Sequence, residues 1–469
     1  MQMKTFISKW GIRIPLTLLL IFVFIQPEFN FGTKSLITPE VLSSKEETKL
    51  AQLFINDRVE RLDSIISVSS ASYGFNGSVM LVLNGHIIYD RSFGYGDYMA
   101  RTPLSDHSSF QLASVSKQFT AMAIMILKER GQLNFDTAVQ CYIPEFPYSN
   151  ITIRHLLTHT SGLPNYLWFL DDFWPADSIP PSNDDLIRIL AQQKFLLNFT
   201  PGRLFDYSNT GYAVLASIVE RISGLTFGDF LQANVFQPLG MLHSFVFYSG
   251  VKKNHPEMVH GYKRRYRTFR PIEATLSDGI AGDKGVYSST YDLYLWDQAL
   301  YSGALVRPST LEEAFTPTTL TNGRVMPYGF GFRLRNESNH RVVYHHGLWE
   351  GFRDVFERDI DNHLTVIILN HTSFNGLNTL ADHLKKVILE PPLDTTTQSL
   401  VMTALHKGDK AALKDLELNR KNNPALVPDN MKLLEAINYL NGLHKPELAR
   451  KIKQLYLSLA DGGMAHNGR

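Results

Sequence analysis

The stretch FQLASVSKQFT, residues 110–120, places Ser114 three residues before Lys117 at the start of a long apolar run. Residues three apart share one face of an α-helix, so the hydroxyl and the amine are predicted to be neighbours one turn apart. The chain is apolar from Ala121 to Leu127 and Gly131 suits a C-cap, which predicts a helix buried on nearly all sides. A lysine desolvated at the start of such a helix is a plausible proton acceptor for a serine hydroxyl.

A structural interpretation of the same stretch makes Ser114 a helix N-cap and Lys117 a solvated residue of the first turn. The Ser-x-x-Lys pattern is weak on its own, because Ser249 and Lys252 repeat it in a turn-like segment without an apolar run. Ser116 is a poorer nucleophile, since neighbours in sequence do not share a helix face. The pattern therefore needs support from elsewhere in the chain.

The composition excludes several classes of function. In 469 residues, 46 Lys and Arg nearly balance 45 Asp and Glu, so no basic surface indicates a nucleic-acid partner. The single cysteine, Cys141, excludes an internal disulfide framework and a cysteine metal site. His155 and His159 are four apart on a predicted helix, but no glutamate lies between them and no third ligand is evident. We therefore predict neither a metal nor an organic cofactor.

The N-terminal segment, residues 1–30, has the layout of an export signal. Three basic residues precede the apolar run Ile14–Ile25, which is shorter than the ~20 residues that a spanning helix needs. A cleaved signal peptide and a retained membrane anchor both remain open, and residues 31–44 are predicted to be a linker. Either alternative predicts an exported protein of a bacterial envelope or periplasm, where a chain with one cysteine does not depend on disulfides.

Hydrophobic periodicity predicts one α/β domain over residues 45–390. A helix is predicted over residues 45–70, followed by two strands joined at Asn84-Gly85, a pair typical of a type I′ hairpin turn. Four more strands are predicted between residues 328 and 371, whereas residues 114–300 look mostly helical. This order favours a sheet flanked by helices and interrupted by an inserted helical domain.

Residues 391–469 are predicted to form a helical tail. The segments NMKLLEAINYLNGL and PELARKIKQLYLSLA have helical apolar spacing and resemble tetratricopeptide hairpins. A solenoid usually needs three or more such units, so a small appendage packed on the main domain is the preferred interpretation.

Two further motifs support the serine and lysine. The segment GRLFDYSNTGY places Tyr207 and Asn209 just before an apolar helix, and YHHGLWEGF places His345 and Gly347 at the end of a strand. Ser-x-x-Lys, Tyr-x-Asn and His-x-Gly in this order resemble the serine β-lactamase and penicillin-binding protein superfamily, in particular its class C β-lactamase-like branch. The stretches ITIRHLLTHTSGLP and GDKGVYSSTYDLYLWDQAL agree, so the resemblance covers about residues 45–390.

The resemblance implies a β-lactamase-like fold and a role for each matched residue. Ser114 would be the nucleophile that forms an acyl-enzyme, Lys117 its activating partner, and Tyr207 a second general base whose phenolate neighbouring cations would hold. Asn209 would hydrogen-bond Lys117 and the substrate amide. The backbone N–H groups of Leu348 and Ser114 would form the oxyanion hole.

The third motif also bears on specificity. Gly347 would be glycine so that substrate can lie close along the strand. His345 stands where many penicillin-recognising members have lysine, and a histidine is only partly charged at neutral pH. This departure predicts that uncharged acyl substrates are preferred over carboxylate-bearing β-lactams.

The sequence thus predicts an exported serine hydrolase that acts on an amide or ester bond, as an esterase, a D-amino-acid peptidase or a β-lactamase-like enzyme. Its partner would be a small-molecule or peptide substrate, and the N-terminal segment allows membrane association. The alternative is a non-catalytic recognition protein that uses the helical tail for a partner. The aromatic residues around 166–174 could line the substrate cleft or fill a small core. The oligomeric state follows from none of these patterns.

Overall fold

The structure is a computed structural model that describes residues 42–464 apart from 176–178, 248–254, 256, 267, 338, 390–394 and 423–425. The predicted export signal, nearly all of the linker and the second Ser-x-x-Lys match at Ser249 lie outside the described residues. In the part that is described, no helix has the length and hydropathy needed to cross a bilayer.

A six-stranded antiparallel sheet forms the centre of the main domain. Its strands, in spatial order, are β12 (Arg333–Glu337), β13 (His340–Trp349), β14 (Phe352–Asp359), β15 (Leu364–Asn370), β1 (Gly77–Leu83) and β2 (His86–Phe93). The hairpin between β1 and β2 turns at Asn84 and Gly85, both with positive φ, as the sequence predicts. The remaining strands are β3 (Tyr95–Asp97), β4 (Thr102–Pro103), β5 (Phe110–Gln111), β6 (Phe245–Val246), β7 (Tyr262–Arg265), β8 (Thr268–Pro271), β9 (Val286–Ser288), β10 (Thr318–Thr319) and β11 (Val325–Met326).

Helices cover both faces of this sheet. They are α1 (Ser44–Tyr73), α2 (Ser116–Glu129), α3 (Ile153–Leu157), α4 (Leu170–Phe173), α5 (Asn183–Gln193), α6 (Asn209–Ser223), α7 (Phe227–Leu231), α8 (Gln237–Leu239), α9 (Thr290–Ser302), α10 (Pro308–Ala314), α11 (Leu377–Leu389), α12 (Thr395–Lys407), α13 (Asp409–Asn422), α14 (Asn430–Gly442) and α15 (Pro446–Met464). The predicted first helix is confirmed, and α1 begins with a capping box between Ser43 and Glu46.

Two apolar cores hold the sheet between its helical layers. On one face, α1 and α11 pack against β1, β14 and β15 through residues such as Leu62, Ile66 and Leu384. On the other face, α2 and the helices inserted between β5 and β12 form a larger core around residues such as Phe119 and Trp296. The predicted interruption of an α/β domain by a helical domain is therefore confirmed, and the cleft lies where this inserted layer meets β13.

The C-terminal helices form a third core with the beginning of α1. Buried residues of α12 to α15, among them Val401 and Leu440, pack with Leu42 and Leu50. The tail is thus a helical bundle packed on the same helix whose later part, at Leu62 and Ile66, supports the sheet.

Candidate active site

Ser114 lies in a single 3-10 turn, Ala113–Val115, immediately before α2. The sequence predicts a continuous helix through this serine, but α2 begins only at Ser116. Ala113 has φ of 46°, a left-handed conformation that is costly for a residue with a Cβ atom. The turn is tied to β9, since Leu112 N donates to Val286 O at 2.8 Å. Ser114 is therefore presented by a strained and well-anchored turn.

Lys117 lies in the first turn of α2 and its amine is completely buried. Its Nζ is 3.2 Å from Ser114 Oγ, as the spacing predicts, and 2.8 Å from Asn209 Oδ1. A third hydrogen bond, also 2.8 Å, goes to the backbone oxygen of Asp283. The structure thus brings Ser114, Lys117 and Asn209 into direct contact, and their catalytic roles remain predictions.

Burial lowers the pKa of Lys117 from 10.5 to about 7. The nearby Asp283 opposes this effect, whereas the positive charge of Arg333 adds to it. The amine is then largely neutral slightly above pH 7. A neutral amine at hydrogen-bond distance from a serine hydroxyl can take its proton, so Lys117 has the properties of the general base.

Tyr207 stands beside this pair, but its surroundings differ from those that the resemblance implies. Lys117 Nζ lies 5.0 Å from the centre of its ring and the Arg333 guanidinium 5.3 Å. The hydroxyl is buried without a hydrogen bond of normal geometry among the described residues. Burial raises the pKa of Tyr207 well above its ordinary range, and the nearby Ser114 hydroxyl and Arg333 offset this only in part. Tyr207 is therefore a neutral phenol rather than the expected phenolate.

His345 is also neutral, and more strongly so than the sequence suggests. Its side chain is buried in β13, and burial together with the charges of Lys117 and Arg333 lowers its pKa well below the ordinary histidine value. The expectation of a partly charged histidine at neutral pH is therefore wrong for this position. The sequence offers no sign of this result, because it depends on burial beside Lys117 and Arg333, which only the fold brings together.

Arg333 is the functional candidate that sequence reasoning missed. It begins β12, lines the same cavity as Ser114 and Tyr207, and stacks on the rings of Tyr207 and Tyr328. In the described part of the chain it forms no ion pair, unlike Arg335 two residues on, which pairs with Glu337 and Glu357. Among the described residues, Arg333 is thus a positive charge in the wall of the cavity that holds Ser114, without a carboxylate at ion-pair distance.

The remaining predicted residues, Gly347 and Leu348, lie on β13 beyond its pairing with β12. That pairing ends at Tyr344, whereas the pairing with β14 continues to Trp349, so one edge of β13 is open there in the described sheet. A Cβ atom on Gly347 would lie 2.5 Å from Leu112 O and 2.4 Å from Asp354 Oδ2. Close packing within the protein therefore already requires glycine here, and the approach of substrate along this strand remains a prediction.

A cavity of about 730 Å³ is lined by five of the seven predicted site residues. Its wall includes Ser114, Tyr207, Asn209, His345 and Leu348, together with the unforeseen Arg333. The Leu348 side chain is 60% exposed, and the role of its N–H in an oxyanion hole remains a prediction. Such a volume accommodates a small molecule or a short peptide segment.

The other sequence candidates do not line this cavity. His155 caps α3, whereas His159 follows the helix with φ of 56° and turns inward toward Tyr328. The described residues contain no group of three or more potential ligands that could hold a metal ion. In the aromatic stretch, Tyr166 is buried and donates to Asp283, whereas Trp168 is 71% exposed.

Comparison with known proteins gives matches of both sequence and fold. Residues 62–389 match the Beta-lactamase family model. The chain is 37% identical to a penicillin-binding protein of Bacillus subtilis over 327 residues, which cover 66% of this chain and 71% of that protein. It is 28% identical to the D-aminopeptidase of Brucella anthropi over 289 residues, or 60% of this chain and 53% of that protein. The octameric penicillin-binding protein homologue from Pyrococcus abyssi superposes with a TM-score of 0.62 at 26% identity, covering 71% of this chain and 77% of that one.

Proposed function

Because the chain belongs to the Beta-lactamase family, we propose that it hydrolyses short peptides containing D-amino acids through an acyl-enzyme on Ser114. The observation that carries this proposal is the buried Lys117 amine, 3.2 Å from Ser114 Oγ and with a pKa lowered to about 7. A recognition protein without catalysis has no need for such an activated hydroxyl, so the contacts favour the enzyme over that alternative.

The proposed reaction has two halves. Neutral Lys117 takes the proton of Ser114 Oγ while the oxygen attacks the substrate carbonyl carbon, and backbone N–H groups stabilise the oxyanion. The tetrahedral intermediate breaks its C–N bond, and the departing amine receives a proton from the cluster of Lys117 and Tyr207. Water then attacks the acyl-enzyme and gives up a proton to the same base, releasing the acid and restoring Ser114.

The substrate class rests on Arg333 and on similarity to the D-aminopeptidase. A guanidinium without a carboxylate partner favours a substrate that carries its own carboxylate, as a peptide with a free C-terminus does. This replaces the preference for uncharged acyl substrates that His345 alone predicts, because the positive charge lies one strand away at Arg333.

A matched pair of substrates tests the proposal. A D-alanyl dipeptide should have a higher kcat/KM than its C-terminal amide, and Arg333→Gln should remove roughly ten- to a hundred-fold of that preference, the range of one charge-assisted hydrogen bond. Arg335→Gln, which removes a cation already paired with two carboxylates, should leave the ratio of the two substrates unchanged. If both variants lose this preference to the same extent, Arg333 does not bind the substrate carboxylate. Failure of the wild type to cleave any D-peptide would overturn the substrate class.

We further propose that the protein is exported and that residues 1–30 direct this step. The basic start and the apolar run Ile14–Ile25 support the proposal. Expression of the full-length chain in a bacterium, followed by fractionation and N-terminal sequencing, tests it. A new N-terminus in the periplasm indicates a cleaved signal, and an intact N-terminus in the membrane indicates an anchor. The double change Leu18→Arg and Leu19→Arg should retain the protein in the cytoplasm, and a cytoplasmic wild type would contradict export.

A further inference from the structure

Three buried rings stand behind the catalytic residues and connect the two walls of the cleft. His159 Nε2 lies 3.1 Å from Tyr328 Oη, which lies 3.2 Å from His345 Nε2. Each of the three residues is only 1% exposed. His159 follows α3 in the inserted helical layer, Tyr328 lies between β11 and β12, and His345 belongs to β13. The contacts therefore run from one layer of the domain to the other.

The groups at the two ends fix the direction of the hydrogen bonds. The backbone N–H of Ser208 donates to His159 Nδ1 at 3.2 Å, so this nitrogen carries no proton and Nε2 must be the donor toward Tyr328. At the other end His345 Nδ1 lies 2.9 Å from the carbonyl oxygen of His346, which can only accept. His345 Nε2 is then an acceptor and receives the Tyr328 hydroxyl proton. The two histidines have opposite tautomers.

Burial and the neighbouring charges keep the two histidines of this hydrogen-bond chain neutral. Burial is the largest effect on His159, and the cations Lys117 and Arg333 together with His345 act in the same direction, so its pKa lies well below the ordinary value. Burial is also the largest effect that lowers the pKa of His345, followed by Lys117 and Arg333, while the hydrogen bond to the backbone of His346 opposes them. A neutral imidazole has one donor and one acceptor, which is what each position in the chain requires.

Each end of the hydrogen-bond chain lies beside residues with a proposed role in catalysis. Ser208 separates Tyr207 from Asn209, and the His159 ring also packs 4.2 Å from the ring of Tyr207. At the far end, His346 directly precedes Gly347 on the open edge of β13. We propose that His159, Tyr328 and His345 are positioning residues, whose one-directional hydrogen-bond chain holds the Tyr207–Asn209 segment in register with the open edge of β13.

The tautomers give a test that is independent of any substrate. In the full-length protein labelled with 15N-histidine, His159 and His345 are assigned by their loss in His159→Asn and His345→Asn. The imidazole nitrogen shifts should show a neutral Nε2–H ring at His159 and a neutral Nδ1–H ring at His345 throughout pH 6 to 8. The same tautomer at both positions, or protonation of either ring in this pH range, would contradict the proposed hydrogen-bond chain.

The effect on positioning is tested with Tyr328→Phe, which keeps the ring and removes only the central hydroxyl. The rate of Ser114 labelling by a fluorophosphonate should fall about tenfold or more, since two buried nitrogens lose their partner and the walls lose register. The midpoint of the pH–rate profile should stay near 7, because Lys117 is unchanged. Tyr89→Phe is the control, as it removes the hydroxyl of another largely buried tyrosine, one that donates to Asp63 away from the cleft.

The kinetic part rests on the proposed reactivity of Ser114, and the two failures can be told apart. Absence of labelling in the wild type would refute the nucleophile, and the tautomer measurement would still decide the hydrogen-bond chain. Labelling in Tyr328→Phe as fast as in Tyr89→Phe, or a shifted pH midpoint, would refute the positioning role even if the tautomers are as proposed.

Discussion

Lys117 Nζ lies 3.2 Å from Ser114 Oγ while no part of the lysine is exposed to solvent. The same burial that places the amine against the hydroxyl also removes the water that would stabilise its charge. The short distance between the two side chains and the lowered pKa of Lys117 therefore have one cause, the burial of the first turn of α2. Changes that admit water to this turn should affect both properties together.

The first prediction concerns the identity of the nucleophile. A fluorophosphonate probe should attach once per chain, on the peptide that contains Ser114, and Ser114→Ala should abolish the adduct. Ser116→Ala is the matched control, because Ser116 Oγ accepts a hydrogen bond from Val286 N and faces away from the reaction. Mass spectrometry of digested protein identifies the site. An adduct on Ser116 would require a different mechanism.

The second prediction is the pH dependence of acylation. The neutral form of Lys117 is the active one, and its pKa is about 7, so the labelling rate of Ser114 should rise through pH 7 and level off near pH 8 to 9. At pH 6 the rate should be about a tenth of its plateau. Stopped-time labelling between pH 5 and 9 measures the profile. A rate that is constant across pH 6 to 8 would mean that Lys117 is not the base.

The third prediction links the same lysine to stability. Between about pH 7 and 10.5 the unfolded chain binds a proton at Lys117 that the folded chain does not, so this group makes the free energy of unfolding rise with pH. Relative to wild type, Lys117→Met should gain stability as the pH falls from 10.5 to 7, on the order of a few kcal/mol, with no further gain below pH 7. Denaturant titrations at several pH values measure this difference. Lys128→Met, nearer the surface on α2, is the control, and a difference independent of pH would contradict the low pKa.

The fourth prediction separates Tyr207 from Lys117. As a neutral phenol, Tyr207 can donate a proton to a departing amine, so Tyr207→Phe should lower kcat for a peptide roughly a hundredfold. A p-nitrophenyl ester, whose leaving group needs no proton, should lose much less, and the pH midpoint should stay near 7. Combined with Lys117→Ala the losses should be smaller than their sum. A shift of the pH midpoint in Tyr207→Phe would instead support Tyr207 as a phenolate base.

The fifth prediction concerns the contact between β13 and the nucleophile turn. Gly347→Ala would place a methyl group 2.5 Å from Leu112 O, which is backbone and cannot rotate away. The variant should lose about 1–3 kcal/mol of stability and at least tenfold in the labelling rate of Ser114. Gly442→Ala is the control, because a Cβ atom there meets nothing within 4 Å. Thermal unfolding and Ser114 labelling are measured for both variants. Equal stability and equal labelling rates would contradict the role of close packing at Gly347.

Local patterns predicted much of the fold and the reactive pair. Asn84 and Gly85 determine their turn by backbone preference alone, and the three-residue spacing of Ser114 and Lys117 is a local property of the chain. The start of α2 was harder to predict from the sequence, because the strained Ala113 is held by strands distant in sequence. Arg333 could not be predicted, because an arginine at the start of a strand looks like a solvated edge residue until the fold places it on the Tyr207 ring. The neutrality of His345 likewise arises from neighbours that only the tertiary structure assembles.

Helix α1 takes part in two cores at once, with Leu50 among the tail helices and Leu62 and Ile66 against the sheet. Because the same helix contributes to both cores, we expect unfolding of the tail bundle to reduce the packing that holds α1 against the sheet. Removal of the tail would expose Leu50, which it buries at the start of α1. We therefore expect the tail to stabilise the main domain through α1, at a distance from the cleft.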